Sequence, residues 1–205
     1  MAALAAKSLL EFPAGWDVTL SDFSLGMLGD VRRNVASIAH PFTLMQLDAQ
    51  AIPFADHTFD AVIANHMLYH VPDVPRALRE IRRVLVPGCK CYATTFSRAD
   101  MRELHELIRR FVGIDAPGRA AIHFGLENGY DMMGDCFASV DISRYPDSMV
   151  ITDAKPLMDY VNSMSMRRRA TDEQIAALQS FVEAELSARG SIKMTKDAGI
   201  LIGVA

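Results

Sequence analysis

The stretch LDAQAIPFADHTFDAVIANHMLYHVPDVPRALREIRRVLVPGCKCYATTF, residues 47–96, carries three elements in a row. Residues 59–64 are apolar throughout except for Asp60, the pattern of a strand buried on both faces as in a parallel sheet. Asp73 stands where it can cap a helix, with Pro75 in the first turn. Ala77, Leu78, Ile81, Val84 and Leu85 then share one helical face until Pro87 and Gly88 stop it. Residues 90–96 read as the next strand.

Working toward the N-terminus, residues 42–47 form an apolar run closed by Asp48, and residues 18–20 a shorter one closed by Ser21 and Asp22. Met27, Leu28, Val31, Val35 and Ile38 lie between them at helical spacing, interrupted by Gly26 and Gly29. Strand and helix alternating over short connections is the signature of a doubly wound α/β sheet. Ligands in such sheets sit outside the carboxyl ends of the strands, which places Asp22, Asp48 and residues 65–70 at the expected site.

Toward the C-terminus the pattern changes. Met101, Leu104, Leu107, Ile108 and Phe111 make an amphipathic helix, and residues 114–134 have the glycines and weak periodicity of a loop or lid. Residues 139–145 alternate like a strand with one solvated side. Thr171 and Gln174 have capping-box spacing ahead of Ile175, Leu178, Phe181, Val182 and Leu186, which predicts a long helix. The end of the chain reads as an antiparallel hairpin, residues 191–195 and 199–205 around a Lys-Asp-Ala-Gly turn. With no repeat, low-complexity tract or linker, residues 1–205 are expected to form a single domain.

Composition narrows the functional classes. Among 205 residues, half are apolar, enough for a substantial core. With 21 basic against 25 acidic side chains, the field of the chain favours neither nucleic acid nor an anionic membrane. Three cysteines argue against a disulfide framework and for a reducing compartment. Cys89 and Cys91 alone are a weak metal signal, and no metal is expected. Residues 1–12 are too short and too interrupted, by Lys7, to span a bilayer, and they lack the basic start of a secretory signal. A cytoplasmic protein is expected.

An acid at a strand's carboxyl end, followed by an aromatic, suits recognition of a ribose and its base. Asp22 can accept from two hydroxyls while Phe23 packs on the ring. Equally, Asp22 could serve the start of the helix that follows Ser24, and Asp48 could accept from an exocyclic amine or merely hold a turn.

The combination is more telling than any one residue. Residues 47–96 resemble the core of the class I S-adenosylmethionine-dependent methyltransferases. The resemblance rests on Asp48-Ala49, on Ile52-Pro53-Phe54, on the Phe59-Asp60 entry into a strand, on residues 65–71 after it, and on Leu85-Val86-Pro87-Gly88. SDFSLGMLGDVRRN upstream, and FGLENG and MTKDAGILIGVA downstream, extend it over nearly the whole chain. It implies a Rossmann-like α/β sheet, mostly parallel with an antiparallel C-terminal hairpin, and S-adenosylmethionine as cofactor. Asp22 would hold the ribose hydroxyls, Phe23 and Met27 would pack on adenine, and Asp48 with Ala49 would read its amine edge. Asn65 and His66 would lie beside the methionine moiety. Tyr69 and His70 would face a small-molecule acceptor, with His70 able to take a proton near neutrality. Both could instead pack between the strand end and the next helix.

The family also opens with a strand and a glycine-rich loop, and the strand lies in mid-sheet between those ending at Asp22 and Ala64. The twelve glycines here include no Gly-x-Gly. The resemblance therefore implies a missing first strand and loop, weak hold on the methionine half of the cofactor, and two strand edges left open. Direct pairing of those edges, pairing of two copies as a homodimer, or marginal stability would follow. A methyltransferase-like binding or scaffold protein without catalysis is the alternative reading, and a nicotinamide-dependent oxidoreductase fits residues 47–96 poorly. Arg167, Arg168 and Arg169 read as a solvated helix end rather than an anion site.

Overall fold

A computed structural model describes residue 13 and residues 15–113 and 123–205. Strands β1 (Val18–Asp22), β2 (Phe42–Gln46), β3 (Phe59–Asn65), β4 (Leu85–Phe96), β5 (Ser139–Ile151) and β6 (Ile192–Val204) form two sheets. β1 and β2 pair in parallel, Val18 opposite Phe42 through Asp22 opposite Gln46. The other sheet runs β3-β4-β6-β5. Among the described residues β1 does not pair with β3, so the direct pairing of these two strands, one of the outcomes expected, is not seen.

The helices are α1 (Leu25–Val35), α2 (Val74–Val84), α3 (Arg102–Val112), α4 (Gly129–Gly134), α5 (Ala154–Ser163) and α6 (Asp172–Arg189), with short 3-10 turns at Leu68–His70 and Ser165–Arg169. The chain divides into two compact units, residues 1–93 with 132–140 and 202–205, and residues 94–131 with 141–201.

In the first unit, α2 forms as its sequence dictates. Asp73 caps it by accepting from Arg76 N at 3.0 Å, a proline stands in the first turn, and Val74, Ala77, Leu78, Ile81 and Val84 are buried along one face. Its end differs from expectation. The helix stops at Val84 and β4 starts at Leu85, so Pro87 and Gly88 lie inside the strand. Gly88 supplies the positive φ of 83° there, and its N–H donates to Ala205 O at 2.9 Å. A second correction concerns β3, where Ala64 is buried but Ile63 is 71% exposed. A strand is buried on both faces only where helices cover both sides of the sheet, and the exposure of Ile63 shows that one face of β3 is not so covered; among the described residues β3 pairs with β4 only. Cys91 is buried in β4, which pushes its thiol up to about 12, and Cys89 is half-buried with its thiol free.

The second unit has its own core, in which Leu104 and Ile108 of α3, Val161 of α5, Leu178 and Val182 of α6 and Met194 of β6 are buried. The capping box at Thr171 and Gln174 is complete, as expected. The C-terminal run departs from expectation, for β6 is one continuous strand and Lys196 to Gly199 do not turn. Hydrogen bonds from Ser97 N to Asp197 O and from Met101 N to Thr195 O carry β4 past β6 in opposite senses. A Cβ at Gly199 would come within 2.7 Å of Ser143 O, so this glycine admits the β5 backbone rather than bending the chain. In place of a hairpin within residues 191–205, β6 as a whole runs antiparallel to β4 on one side and to β5 on the other. Of the predicted loop, residues 114–122 lie outside the described residues. Phe124 and Leu126 are buried and α4 follows, so residues 123–134 are packed structure and not an open lid.

Candidate functional site

Three strand ends in the first unit carry the residues singled out from the sequence. At the end of β1, Asp22 Oδ1 accepts from Ser24 N at 2.8 Å, and Ser24 in turn caps α1 by accepting from Met27 N at 3.4 Å. Asp22 therefore serves the helix start with one oxygen, and among the described residues no hydrogen bond is made to its Oδ2. Beside it the Phe23 ring is 72% exposed, a large apolar surface open to a ligand. Phe23 O accepts from Gln46 Nε2 at 2.9 Å, and Leu47 N donates to Asp22 O at 3.3 Å, so the ends of β1 and β2 are tied together. Met27 lies half-buried in the first turn of α1.

At the end of β2, Asp48 accepts from Gln50 N at 2.8 Å and from Gln50 Nε2 at 3.0 Å and 3.1 Å. These donors hold its carboxyl below the ordinary carboxylate range, the Gln50 backbone N–H first and the Gln50 side chain second, with Arg76 adding attraction against partial burial. Asp48 holds a turn, and Ala51 N closes it onto Asp48 O at 3.0 Å. Ala49 is half-buried at its centre.

At the end of β3, Asn65 is exposed and the next residue, His66, takes a left-handed φ of 50°. His57 and Met101 share this conformation, so it does not by itself mark a site. The following turn brings three rings into a row, His66 to Tyr69 at 6.4 Å and Tyr69 to His70 at 4.4 Å between centroids. His70 is exposed, with its N–H donating to Met67 O at 2.9 Å.

Sequence reading missed Gln46, Gln50 and Arg76. Gln50 Oε1 accepts from Asp73 N at 3.1 Å and Gln50 O accepts from Arg76 Nε at 2.8 Å, joining the β2 exit to the start of α2. The one local signal was Asp-x-Gln at a strand exit. The partners themselves lie more than twenty residues away.

A nucleoside would find an acceptor for its hydroxyls at Asp22 Oδ2 and a ring face at Phe23. That fits the adenosine half of S-adenosylmethionine. The methionine half needs a close backbone approach, and the chain offers no Gly-x-Gly for it. Among the described residues no group of His, Cys, Asp and Glu side chains could hold a metal ion. No helix among them is long and apolar enough to cross a membrane.

Residues 2–93 match the methyltransferase-domain family. Over 135 residues the chain is 35% identical to a demethylmenaquinone methyltransferase of Thermobifida fusca, spanning 65% of this chain and 55% of that one. Over 94 residues it is 40% identical to a ubiquinone/menaquinone biosynthesis C-methyltransferase of Desulfotalea psychrophila, spanning 45% of this chain and 37% of that one. The chain thus spans about half, or less, of the length of the curated relatives it matches. Its fold is that of a solved candidate methyltransferase from Bacillus halodurans, with a TM-score of 0.65, 14% identity, and 92% of this chain and 83% of that one covered.

Proposed function

We propose that the chain is a class I S-adenosylmethionine-dependent methyltransferase and that it serves methyl transfer to a ring carbon of a quinone-class small molecule. The observation that carries this reading is identity of 35% over 135 residues and 40% over 94 residues to two methyltransferases named for quinones. The cofactor, when bound, supplies an activated methyl group on sulfur. Everything else falls to the chain. Asp22 Oδ2 accepts from the ribose hydroxyls, and Phe23 with Met27 covers one face of adenine. Asp48 and the backbone of Ala49 meet the amine edge.

Asn65 and His66, at the end of β3, hold the methionine side of the cofactor, and the row Tyr69–His70 faces the acceptor. Methylation at carbon replaces a ring proton, so a base beside the ring helps the reaction to completion. The His70 imidazole accepts that proton, and Tyr69 holds the imidazole by ring contact. Alignment of acceptor carbon and methyl group supplies the remaining advantage.

Calorimetric titration with S-adenosylhomocysteine, followed by methyl transfer to demethylmenaquinol, tests the reading. We expect saturable binding, and product whose formation falls about two to four orders of magnitude in kcat for His70→Ala with cofactor affinity kept. A folded chain that gives no binding heat at millimolar cofactor would overturn the activity. Binding without methylation of any quinol would overturn the acceptor alone.

A further inference from the structure

Gln50 reaches in two directions at once. Its Nε2 donates to both oxygens of Asp48, at 3.0 Å and 3.1 Å, while its Oε1 accepts from the backbone N–H of Asp73 at 3.1 Å. Its own carbonyl accepts from Arg76 Nε at 2.8 Å. Asp73 is the N-cap of α2 and accepts from Arg76 N at 3.0 Å, so both ends of this small network close on the first turn of the helix. Only Val71 and Pro72 lie between His70 and Asp73, and the turn leading into them is held by His70 N to Met67 O and Val71 N to Leu68 O.

The chemistry at position 50 is narrow. One side must donate to a carboxylate and the other must accept from a backbone amide, which a neutral carboxamide can do and a charged side chain cannot. Glutamate would set a second carboxylate against Asp48. Lysine or arginine would leave the Asp73 N–H without its acceptor.

We propose that Gln50 is a positioning residue that couples occupation of Asp48 by the adenine amine to the order of the acceptor segment, residues 66–76. The inference rests on the methyltransferase reading for the ligand that meets Asp48. A ligand that fixes the Asp48 carboxylate fixes the Gln50 amide against it, and the far end of that amide then holds the Asp73 N–H and the entry to α2. Coupling of this kind is reciprocal, so an acceptor that orders the segment tightens cofactor binding by the same factor.

Hydrogen exchange of the full chain, with and without S-adenosylhomocysteine, tests it. In the wild type the ligand should slow exchange across residues 66–76. Gln50→Ala should exchange its Asp73 amide about tenfold faster without ligand, the size expected for one lost hydrogen bond, and should lose the ligand-induced slowing. Its affinity for S-adenosylhomocysteine should fall about threefold to tenfold. Gln50→Glu separates the two arms. It should keep the Asp73 amide protected while binding the ligand more weakly at pH 7.5 than at pH 5, where one of the two carboxyls takes up a proton. Unchanged ligand-induced slowing in Gln50→Ala would overturn the coupling and leave the function standing. A wild type that binds no S-adenosylhomocysteine would overturn both.

Discussion

Helices α1 and α2 are both eleven residues long, each follows a strand that ends near a candidate site residue, and they are built on opposite terms. α2 buries five side chains, and α1 buries none. The α2 cap is a close carboxylate contact of 3.0 Å, whereas Ser24 reaches Met27 N at 3.4 Å. The cause is the sheet beneath them. α1 packs on the two-stranded pair β1–β2, too narrow to cover a helix face, and α2 belongs to the part of the chain joined to the four-stranded sheet. The arrangement leaves α1 and the end of β1 open and lightly packed, and α2 firmly packed. A helix that buries an apolar stripe draws its stability from tertiary contact rather than from propensity.

The strongest way to break that comparison is truncation of a leucine in each helix, buried in α2 and half-buried in α1. Leu78→Ala should cost about 2–5 kcal/mol in denaturant unfolding, the range for a fully buried leucine, and Leu28→Ala in α1 should cost well under half as much. Equal losses would mean that α1 is as firmly held as α2. The comparison sharpens if a further parallel strand is supplied ahead of residue 13 by fusion. Pairing beside β1 and β3 would cover Ile63, for a gain of about 1.5–3 kcal/mol and a higher Tm. A fusion that left both Tm and the exposure of Ile63 to labelling unchanged would show that the open edge is not a pairing site.

On the open side, Asp22→Ala should weaken S-adenosylhomocysteine binding by about 1.5–3 kcal/mol, as for hydrogen bonds to a charged group. Since Asp22 also accepts from Ser24 N at the helix start, circular dichroism should show how much of the loss comes from fraying of α1. Unchanged affinity in a folded variant would remove Asp22 from the site.

The smallest effect is on acid stability. The Arg83 side chain holds the Glu80 carboxyl below its ordinary value of 4.5, with help from Ile52 N and against partial burial. A depressed carboxylate contributes stability that is fully present above the unfolded value and is lost as pH falls through the lowered one. Tm should therefore hold steady down to about pH 4.5 and then drop. Glu80→Gln should flatten that drop, and Asp30→Asn, whose partner Arg33 lies with it on the exposed face of α1, should not. An acid limb identical in all three proteins would refute the assignment to Glu80.

The residues themselves determined more of α2 than of any other element. Asp73, Pro75 and the apolar stripe from Ala77 to Val84 are local signals, and a capped amphipathic helix follows from them wherever the chain goes. Thr171 with Gln174 is a second such case. Asp22 and Asp48 were legible as strand-end carboxylates for the same reason, since the end of an apolar run is visible without knowing its neighbours.

Tertiary structure decided everything that depends on a distant partner. Lys-Asp-Ala-Gly reads as a turn in isolation. It runs straight in β6 because Asp197 O takes the N–H of Ser97, Asp197 N donates to Asp100, and Gly199 makes room for the β5 backbone. Pro87-Gly88 reads as a stop, yet Ala205 O holds Gly88 N within a strand. Phe124 and Leu126 read as lid residues because burial of a loop leaves no period in the sequence. Gln50 is the sharpest example. Its donor side could be guessed from Asp48 two residues before it, but its acceptor side depends on a backbone amide twenty-three residues later in the chain. Periodicity and caps are read within one turn or one pleat. Which strand lies beside which, and which polar group meets which across that gap, is fixed only when the sheets assemble.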